Sequence, residues 1–268
     1  MNIFYDFEFH EYDVKHRLSK KTTKTIDLIS IGMVNEKGET FYAISNEFDL
    51  KAAWQNKWLR ENVLAKIHQE LLNKGGTYLK TYHWYLAEFT LKGMRNLLRW
   101  YGSSLAQIRN CMCAFIYGYE ADESGMGPLE IAMKYELTDK TQNPVFYGYF
   151  SAYDWVVMCQ LFGGMLNTPK GFPMYCYDIK QIMDQHGLTK QWKDENCPDP
   201  ANEHNALADA IWNKKLFETI QSHGYNLRVL AHNIANNPAD FSEEKIYEIL
   251  LAISKNELIP KQVANEHN

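Results

Sequence analysis

The sequence lacks the features of several protein classes. It has five cysteines, an odd number, and none of them form a Cys-x-x-Cys pair, which argues against a disulfide framework and a structural zinc site. No window approaches about 18 uncharged apolar residues, as a membrane-spanning helix requires. The N-terminus MNIFYDFEF carries carboxylates at positions 6 and 8, unlike a signal peptide. We therefore expect a cytoplasmic protein with no membrane partner.

An excess of basic residues is also absent. The chain has 28 Lys and Arg against 33 Asp and Glu, a formal net charge of -5. A protein that coats nucleic acid regardless of sequence should be basic, so any contact with nucleic acid should be local. The 268 residues are 46% hydrophobic, which is enough for a full core and excludes disorder as the main state. The length fits one large or two small domains.

Strand patterns dominate the N-terminal part. Aromatic and branched residues predict strands over 2–9, 26–34 and 40–45, and the turn NEKGE joins the last two as an antiparallel hairpin. A polar stretch over 10–25 separates the first two strands.

Helical spacing of apolar residues follows and then alternates with strands. The predicted helices are 58–72, 91–119 (broken at Gly102 and restarted by a Ser104–Gln107 capping box), 153–162, 179–187, 205–220, 226–235 and 242–254. The predicted strands are 145–150 and 174–179, and 121–128 and 193–202 are predicted loops. Three antiparallel strands followed by strands that alternate with helices indicate an α/β fold with a mixed sheet.

Two carboxylates lie on one face of the first strand. Side chains alternate along a strand, so Asp6 and Glu8 point the same way, roughly 7 Å apart. Like charges on a half-buried strand repel and are costly to desolvate, and a divalent cation such as Mg²⁺ would offset both costs. The alternative is a solvated edge strand.

Three more residues belong with this pair. Asp154 follows the strand at 145–150, and the carboxyl ends of sheet strands are where open α/β proteins bind ligands. Asp209 lies one turn into the helix that starts near Asn205, and His204 precedes that helix. Each has a simpler explanation: a helix cap for Asp154, a response to the helix dipole for Asp209, and a structural or exposed histidine for His204. Together and in this order, they form the pattern of the DEDDh exonucleases.

A closer likeness covers roughly 1–74, 104–117 and 144–220. The segments FYDFEF, IDLISIGMVNEKGETFYAISNEFD, SLAQIRNCMCAFI, AYDWVVMCQLFGGM and HNALADA resemble the small 3′–5′ exoribonuclease family typified by mycobacterial RNase AS. The resemblance implies a ribonuclease-H-like mixed sheet with helical insertions. It implies an exonuclease domain over 1–220 with insertions near 75–103 and 118–142, and a helical C-terminal extension over 221–268.

The resemblance also implies a set of roles. Asp6 would bridge two Mg²⁺ ions, with Mn²⁺ as a substitute, Glu8 and Asp209 would complete one site, and Asp154 would hold the second. His204 would be the general base, which suits imidazole because its charge changes near neutral pH. The implied partner is the 3′ end of single-stranded RNA, and the family implies a homodimer.

A locally basic segment and nearby aromatics are the candidate nucleic-acid contacts. The basic residues follow the first strand and include Lys15, Arg17, Lys20 and Lys21. Phe7, Phe9 and Tyr153 could stack on a terminal base, although core packing suits Phe7 and Phe9 better. A solvated loop without function is an equally good interpretation of the basic segment.

Four alternatives stay open. Nothing in the motifs senses a 2′-hydroxyl, so DNA is the nearest alternative substrate. A ribonuclease-H-type endonuclease lacks the His-x4-Asp arrangement, so His204 argues against it. A non-catalytic nucleic-acid-binding module would usually have lost a carboxylate. A zinc ion held by Cys176, Cys197 and His204 is the weakest of these alternatives, because the irregular spacing of the three residues is not typical of a zinc site.

Overall fold

A computed structural model describes residues 1–15, 22–117, 143–236, 242–244, 246, 247 and 251. The predicted loop at 121–128, the insertion at 118–142 and most of the predicted helix at 242–254 lie outside these residues. No helix in the described part of the chain is both long enough and apolar enough to cross a membrane.

One mixed sheet of five strands organises the described part of the chain. The strands are β1 (Asn2–Lys15), β2 (Thr22–Asn35), β3 (Thr40–Ile44), β4 (Val145–Gly148) and β5 (Tyr177–Asp178). Their order is β3-β2-β1-β4-β5, in which β1, β2 and β3 pair antiparallel and β4 and β5 continue in parallel. The predicted α/β class and mixed sheet are therefore confirmed.

Helices flank this sheet. They are α1 (Leu50–Gln55), α2 (Lys57–Leu59), a π-helical turn (Arg60–Leu64), α3 (Ala65–Tyr82), α4 (Leu91–Tyr101), α5 (Leu105–Tyr117), α6 (Ala152–Leu161), α7 (Ile179–Gln185), α8 (Lys190–Asn196) and α9 (Ala206–Asn236). Short 3₁₀ turns lie at Trp84–Leu86 and Met165–Asn167. The capping box is confirmed, because the Gln107 amide donates to Ser104 Oγ at 3.2 Å and the Ser104 amide to Gln107 Oε1 at 2.9 Å.

The first two strands are longer than predicted. Residues 10–15 extend β1 and residues 22–25 begin β2, so most of the polar stretch is a paired ribbon and not a loop. Polar cross-strand partners stabilise it, as in the ion pair between Lys24 and Asp13 at 2.9 Å. Polarity alone therefore misled the prediction.

Two other boundaries were wrong. Residues 193–196 end helix α8 and do not begin a loop, because Thr189 caps that helix by accepting from the Trp192 amide at 3.2 Å. Residues 226–235 are no separate helix, since α9 runs unbroken from Ala206 to Asn236. The predicted domain boundary at residue 220 lies inside α9, and the extension beyond it stays a prediction.

Three clusters of buried side chains hold the layers together. On one face of the sheet, Ile3, Tyr5 and Phe7 pack against α5 and α6. On the other face, Phe4 and Val34 pack against α9. In a third cluster, the buried face of α2, the π turn and α3 packs with α4. This face includes Leu59, Val63, Ile67 and Leu71, as the helical spacing predicts, and also Leu64.

Candidate functional site

Strand β1 presents its two carboxylates toward helix α9. Asp6 pairs across the strands with Gly32, and Glu8 pairs with Ser30. They alternate with Tyr5 and Phe7, which belong to the core on the opposite face. A β-bulge shifts the register directly after Glu8. The predicted common face for Asp6 and Glu8 is therefore present, and Glu8 is only 8% exposed.

Asp154 reaches the same part of β1 from the first turn of α6. Strand β4 pairs with β1 at Asn2, Ile3 and Phe4, so within the described residues no strand covers Phe7 on that side. The Phe7 amide donates instead to Asp154 Oδ1 at 2.9 Å. The bond satisfies a buried amide and fixes the Asp154 carboxylate beside the segment that carries Asp6 and Glu8.

A close backbone approach brings Asp209 to the sheet. A Cβ atom on Gly32 would lie 2.1 Å from the carbonyl oxygen of Ala206 and 2.3 Å from the amide nitrogen of Leu207. No side chain fits there, so glycine allows the first turn of α9 to rest on β2 opposite Asp6. Asp209 lies in that first turn. The Asn213 side chain then donates to the Tyr5 carbonyl at 2.9 Å, which fixes α9 along β1.

His204 immediately precedes this helix in a left-handed backbone conformation, with φ 63°. One ligand-type atom from each of Glu8, His204 and Asp209 lies within 4.8 Å of the other two. The His204 and Trp58 rings meet edge to face, with 4.8 Å between their centroids. The imidazole therefore stands at the carboxylates and is covered on one side by an indole.

Burial and mutual repulsion dominate the electrostatics of the site. Burial raises the pKa of Asp6 well above its usual range, and the carboxylates of Asp154, Glu8 and Asp209 raise it further. Burial is also the main reason that the pKa of Glu8 rises to about 8, that of Asp154 to about 7 and that of Asp209 to about 6. The charges of Asp154, Glu8 and Asp209 all act on Asp6, which places the four predicted carboxylates in one site.

The donor set fits a divalent cation. Clustered carboxylates are stable in the ionised form only when a positive charge balances them, and their hard oxygen atoms suit Mg²⁺, Mn²⁺ or Ca²⁺. Among the described residues, the group of possible metal ligands that lie within 4.8 Å of one another is Glu8, His204 and Asp209, so the predicted zinc site with Cys176 and Cys197 has no support.

The candidate stacking residues differ in their surroundings. Phe7 is 3% exposed and packs in the core, so it cannot stack on a base and its proposed nucleic-acid role is withdrawn. Phe9 and Tyr153 stack on each other with 6.1 Å between ring centroids and 21° between planes. Tyr153 is 52% exposed, so this aromatic pair has a ring that a base can reach.

The basic candidates lie at or beyond the limits of the description. Lys15 ends β1, and Arg17, Lys20 and Lys21 lie outside the described residues. Their predicted contact with nucleic acid stays a prediction.

Sequence reasoning missed three residues on the helical unit Lys57–Tyr82, which comprises α2, the π turn and α3. Trp58 contacts His204, and Glu70 accepts a hydrogen bond from the Asn205 side chain. Lys66 lowers the pKa of Glu8 and Asp209 through its charge. The apolar spacing of this unit marked its buried side, but nothing local indicated which surface its polar residues would face.

Comparisons with known proteins give a matching family model and two relatives. The family model of the 3′–5′ exoribonuclease Rv2179c-like domain matches residues 2–221. Two relatives from Mycobacterium tuberculosis are each 28% identical over 226 residues, which are 83% of this chain and 94% of the relative. They are named 3′–5′ exoribonuclease Rv2179c, from strain ATCC 25618 / H37Rv, and 3′–5′ exoribonuclease MT2234.1, from strain CDC 1551 / Oshkosh.

Replacing Gly32 with alanine tests the backbone approach. We expect Gly32→Ala to push α9 away, lowering the free energy of unfolding by about 1–3 kcal/mol and weakening Mn²⁺ binding in calorimetry. Gly224→Ala, in the same helix, is the matched control. The atom nearest to its new methyl group would be Cε1 of His186, at 4.0 Å. The control should leave Mn²⁺ affinity unchanged and add up to about 1 kcal/mol of stability. Wild-type stability and affinity in Gly32→Ala would contradict the contact.

The raised carboxyl pKa values predict how stability depends on pH. From about pH 4 to pH 8 the unfolded chain has lost protons that the folded, metal-free site retains, so stability should fall as pH rises. Thermal unfolding in EDTA from pH 5 to pH 9 measures this fall. Glu8→Gln should flatten it in the upper half of the range, and Mg²⁺ should stabilise the wild type most at high pH. If the unfolding temperatures of the wild type and of Glu8→Gln depend on pH in the same way, the raised pKa of Glu8 is contradicted.

Proposed function

Because the chain belongs to the Rv2179c-like family of 3′–5′ exoribonucleases, we propose that it hydrolyses RNA stepwise from the 3′ end. The observation that carries this proposal is the convergence of Asp6, Glu8, Asp154 and Asp209 with the His204 imidazole. The order and spacing of these residues support a DEDDh site on a ribonuclease-H-like sheet.

Asp6, Glu8, Asp154 and Asp209 would hold two Mg²⁺ ions. Bound divalent cations would neutralise the phosphodiester and lower the pKa of the attacking water. The Phe7 amide keeps Asp154 aimed at the site. The close approach at Gly32 keeps Asp209 opposite Asp6.

His204 is proposed to accept the proton of the attacking water. Its ring lies beside Glu8 and Asp209, so a water bound at these carboxylates would be within its reach. Trp58 limits the directions the ring can take. The left-handed backbone at His204 suits a residue held for function, because such strain persists only where the surroundings impose it.

The aromatic pair of Phe9 and Tyr153 is proposed to receive the 3′-terminal base. Phe9 directly follows Glu8 and Tyr153 directly precedes Asp154, so this aromatic pair borders the two chain segments that carry these carboxylates. Stacking tolerates any base because every base has a π-face. The basic residues after β1 would then contact the preceding phosphates.

An oligonucleotide assay tests the proposed activity. Matched RNA and DNA strands labelled at the 5′ end are incubated with Mg²⁺ or EDTA, and we expect Mg²⁺-dependent stepwise shortening of RNA. Asp6→Asn should reduce the rate to background, because it removes a ligand charge. Asp184→Asn is the control, because Asp184 is an exposed carboxylate that forms an ion pair with Lys180 across one helical turn, and this variant should keep the wild-type rate. If DNA is shortened as fast as RNA, the result would favour an exodeoxyribonuclease. If the protein binds RNA without shortening it, the result would favour a non-catalytic nucleic-acid-binding module.

Substituting the exposed ring tests base stacking. Tyr153→Ala should raise KM for RNA roughly tenfold while changing kcat less, because one stacked base contributes about 1–3 kcal/mol. Tyr85→Ala, an exposed tyrosine in the Trp84–Leu86 turn, is the control and should leave KM unchanged. A KM for Tyr153→Ala equal to that of the control would remove the stacking role.

A further inference from the structure

Residues 204 and 205 connect the candidate base to the helix that carries Asp209. His204 has a left-handed backbone that a non-glycine residue adopts only when other contacts hold it. Asn205 caps α9, since its Oδ1 accepts from the Ala208 amide at 2.8 Å. A contact that fixes the Asn205 side chain therefore also fixes the position of the His204 imidazole and of the first turn of α9.

A carboxylate from another part of the chain holds Asn205. Glu70 on α3 accepts a hydrogen bond from Asn205 Nδ2 through one oxygen atom. The Tyr42 hydroxyl on β3 donates to its other oxygen at 2.5 Å. Asn205 is only 8% exposed, so its side-chain amide depends on this protein partner.

The same helical unit also covers His204. Trp58 packs against the imidazole from α2, three turns before Glu70. The unit Lys57–Tyr82 therefore contacts two consecutive residues of the site through side chains of different chemistry. Its buried face is anchored in the core by Leu59, Val63, Ile67 and Leu71, so these contacts rest on a rigid support.

We propose that Glu70 is a positioning residue, which orients His204 and Asp209 through its hydrogen bonds to Asn205 and Tyr42. The inference rests on the proposed exoribonuclease function. Glu70 itself touches no reacting atom and acts through the Asn205 cap. Losing a partner of this kind typically costs about 10–100-fold in activity, and we expect the loss mainly in kcat.

Exchanging donor and acceptor across this contact tests the proposal. Asn205→Asp keeps the cap but sets two carboxylates against each other, and should lower kcat about 10–100-fold with little change in KM. Adding Glu70→Gln restores a donor, because the glutamine amide can donate to the new carboxylate at position 205 while its oxygen still accepts from Tyr42. The double variant should recover at least tenfold of the lost kcat. Glu70→Gln alone should stay within a few fold of wild type, since its oxygen can accept from Asn205.

Two measurements make the outcomes distinct. Glu61→Leu, an exposed acid of the same helical unit, is the matched control for Glu70→Leu, and only Glu70→Leu should lower kcat. Thermal unfolding of the four proteins of the Glu70–Asn205 cycle reports the hydrogen bond without reference to catalysis. Additive effects on kcat in an active enzyme would overturn the positioning role. If the wild type cleaves no RNA, the proposed function is wrong. If the double variant still recovers the unfolding temperature lost in Asn205→Asp, the hydrogen bond between Glu70 and Asn205 is nevertheless supported.

Discussion

The contact on which the site depends is the backbone approach of α9 to strand β2 at Gly32. Gly32 has no side chain, so the carbonyl of Ala206 and the amide of Leu207 occupy the space that a Cβ atom would fill. Gly32 is also the cross-strand partner of Asp6. Because Gly32 has no Cβ atom, the start of α9 at Ala206 can lie next to Asp6, although the two residues are about 200 positions apart in the chain.

This arrangement stores unfavourable electrostatic energy at the site. Four carboxylates are brought together in a largely buried place, and the pKa of each rises mainly because burial penalises its charged form. The hydrogen bond from Phe7 to Asp154 and the charge of Lys66 offset only part of this cost. A cluster of buried carboxylates that lowers stability is typical of function taking precedence over stability.

The helical unit Lys57–Tyr82 has two faces with different tasks. Its apolar face is core, while Trp58, Lys66 and Glu70 face the residues around His204 and Asp209. It also contains a π-helical turn, a feature that occurs often near functional sites. The unit therefore belongs to the candidate site and is not only packing around the sheet.

Local patterns in the sequence determined a large part of this protein. Alternation along β1 put Asp6 and Glu8 on one face, helical spacing located Leu59 to Leu71, and Ser104 with Gln107 marked the start of α5. These features depend on neighbours a few residues away, so spacing reveals them. Even there, cross-strand pairing extended β1 and β2 through residues that polarity alone assigned to a loop.

Only the tertiary structure decided the rest. The contacts of Gly32 with Ala206, of Glu70 with Asn205 and of Trp58 with His204 join residues more than 100 positions apart. Such contacts depend on how helices pack across the sheet, and the same local sequence is compatible with many packings. The burial of Phe7 and the exposure of Tyr153 were decided in the same way, because exposure depends on which layer covers a side chain.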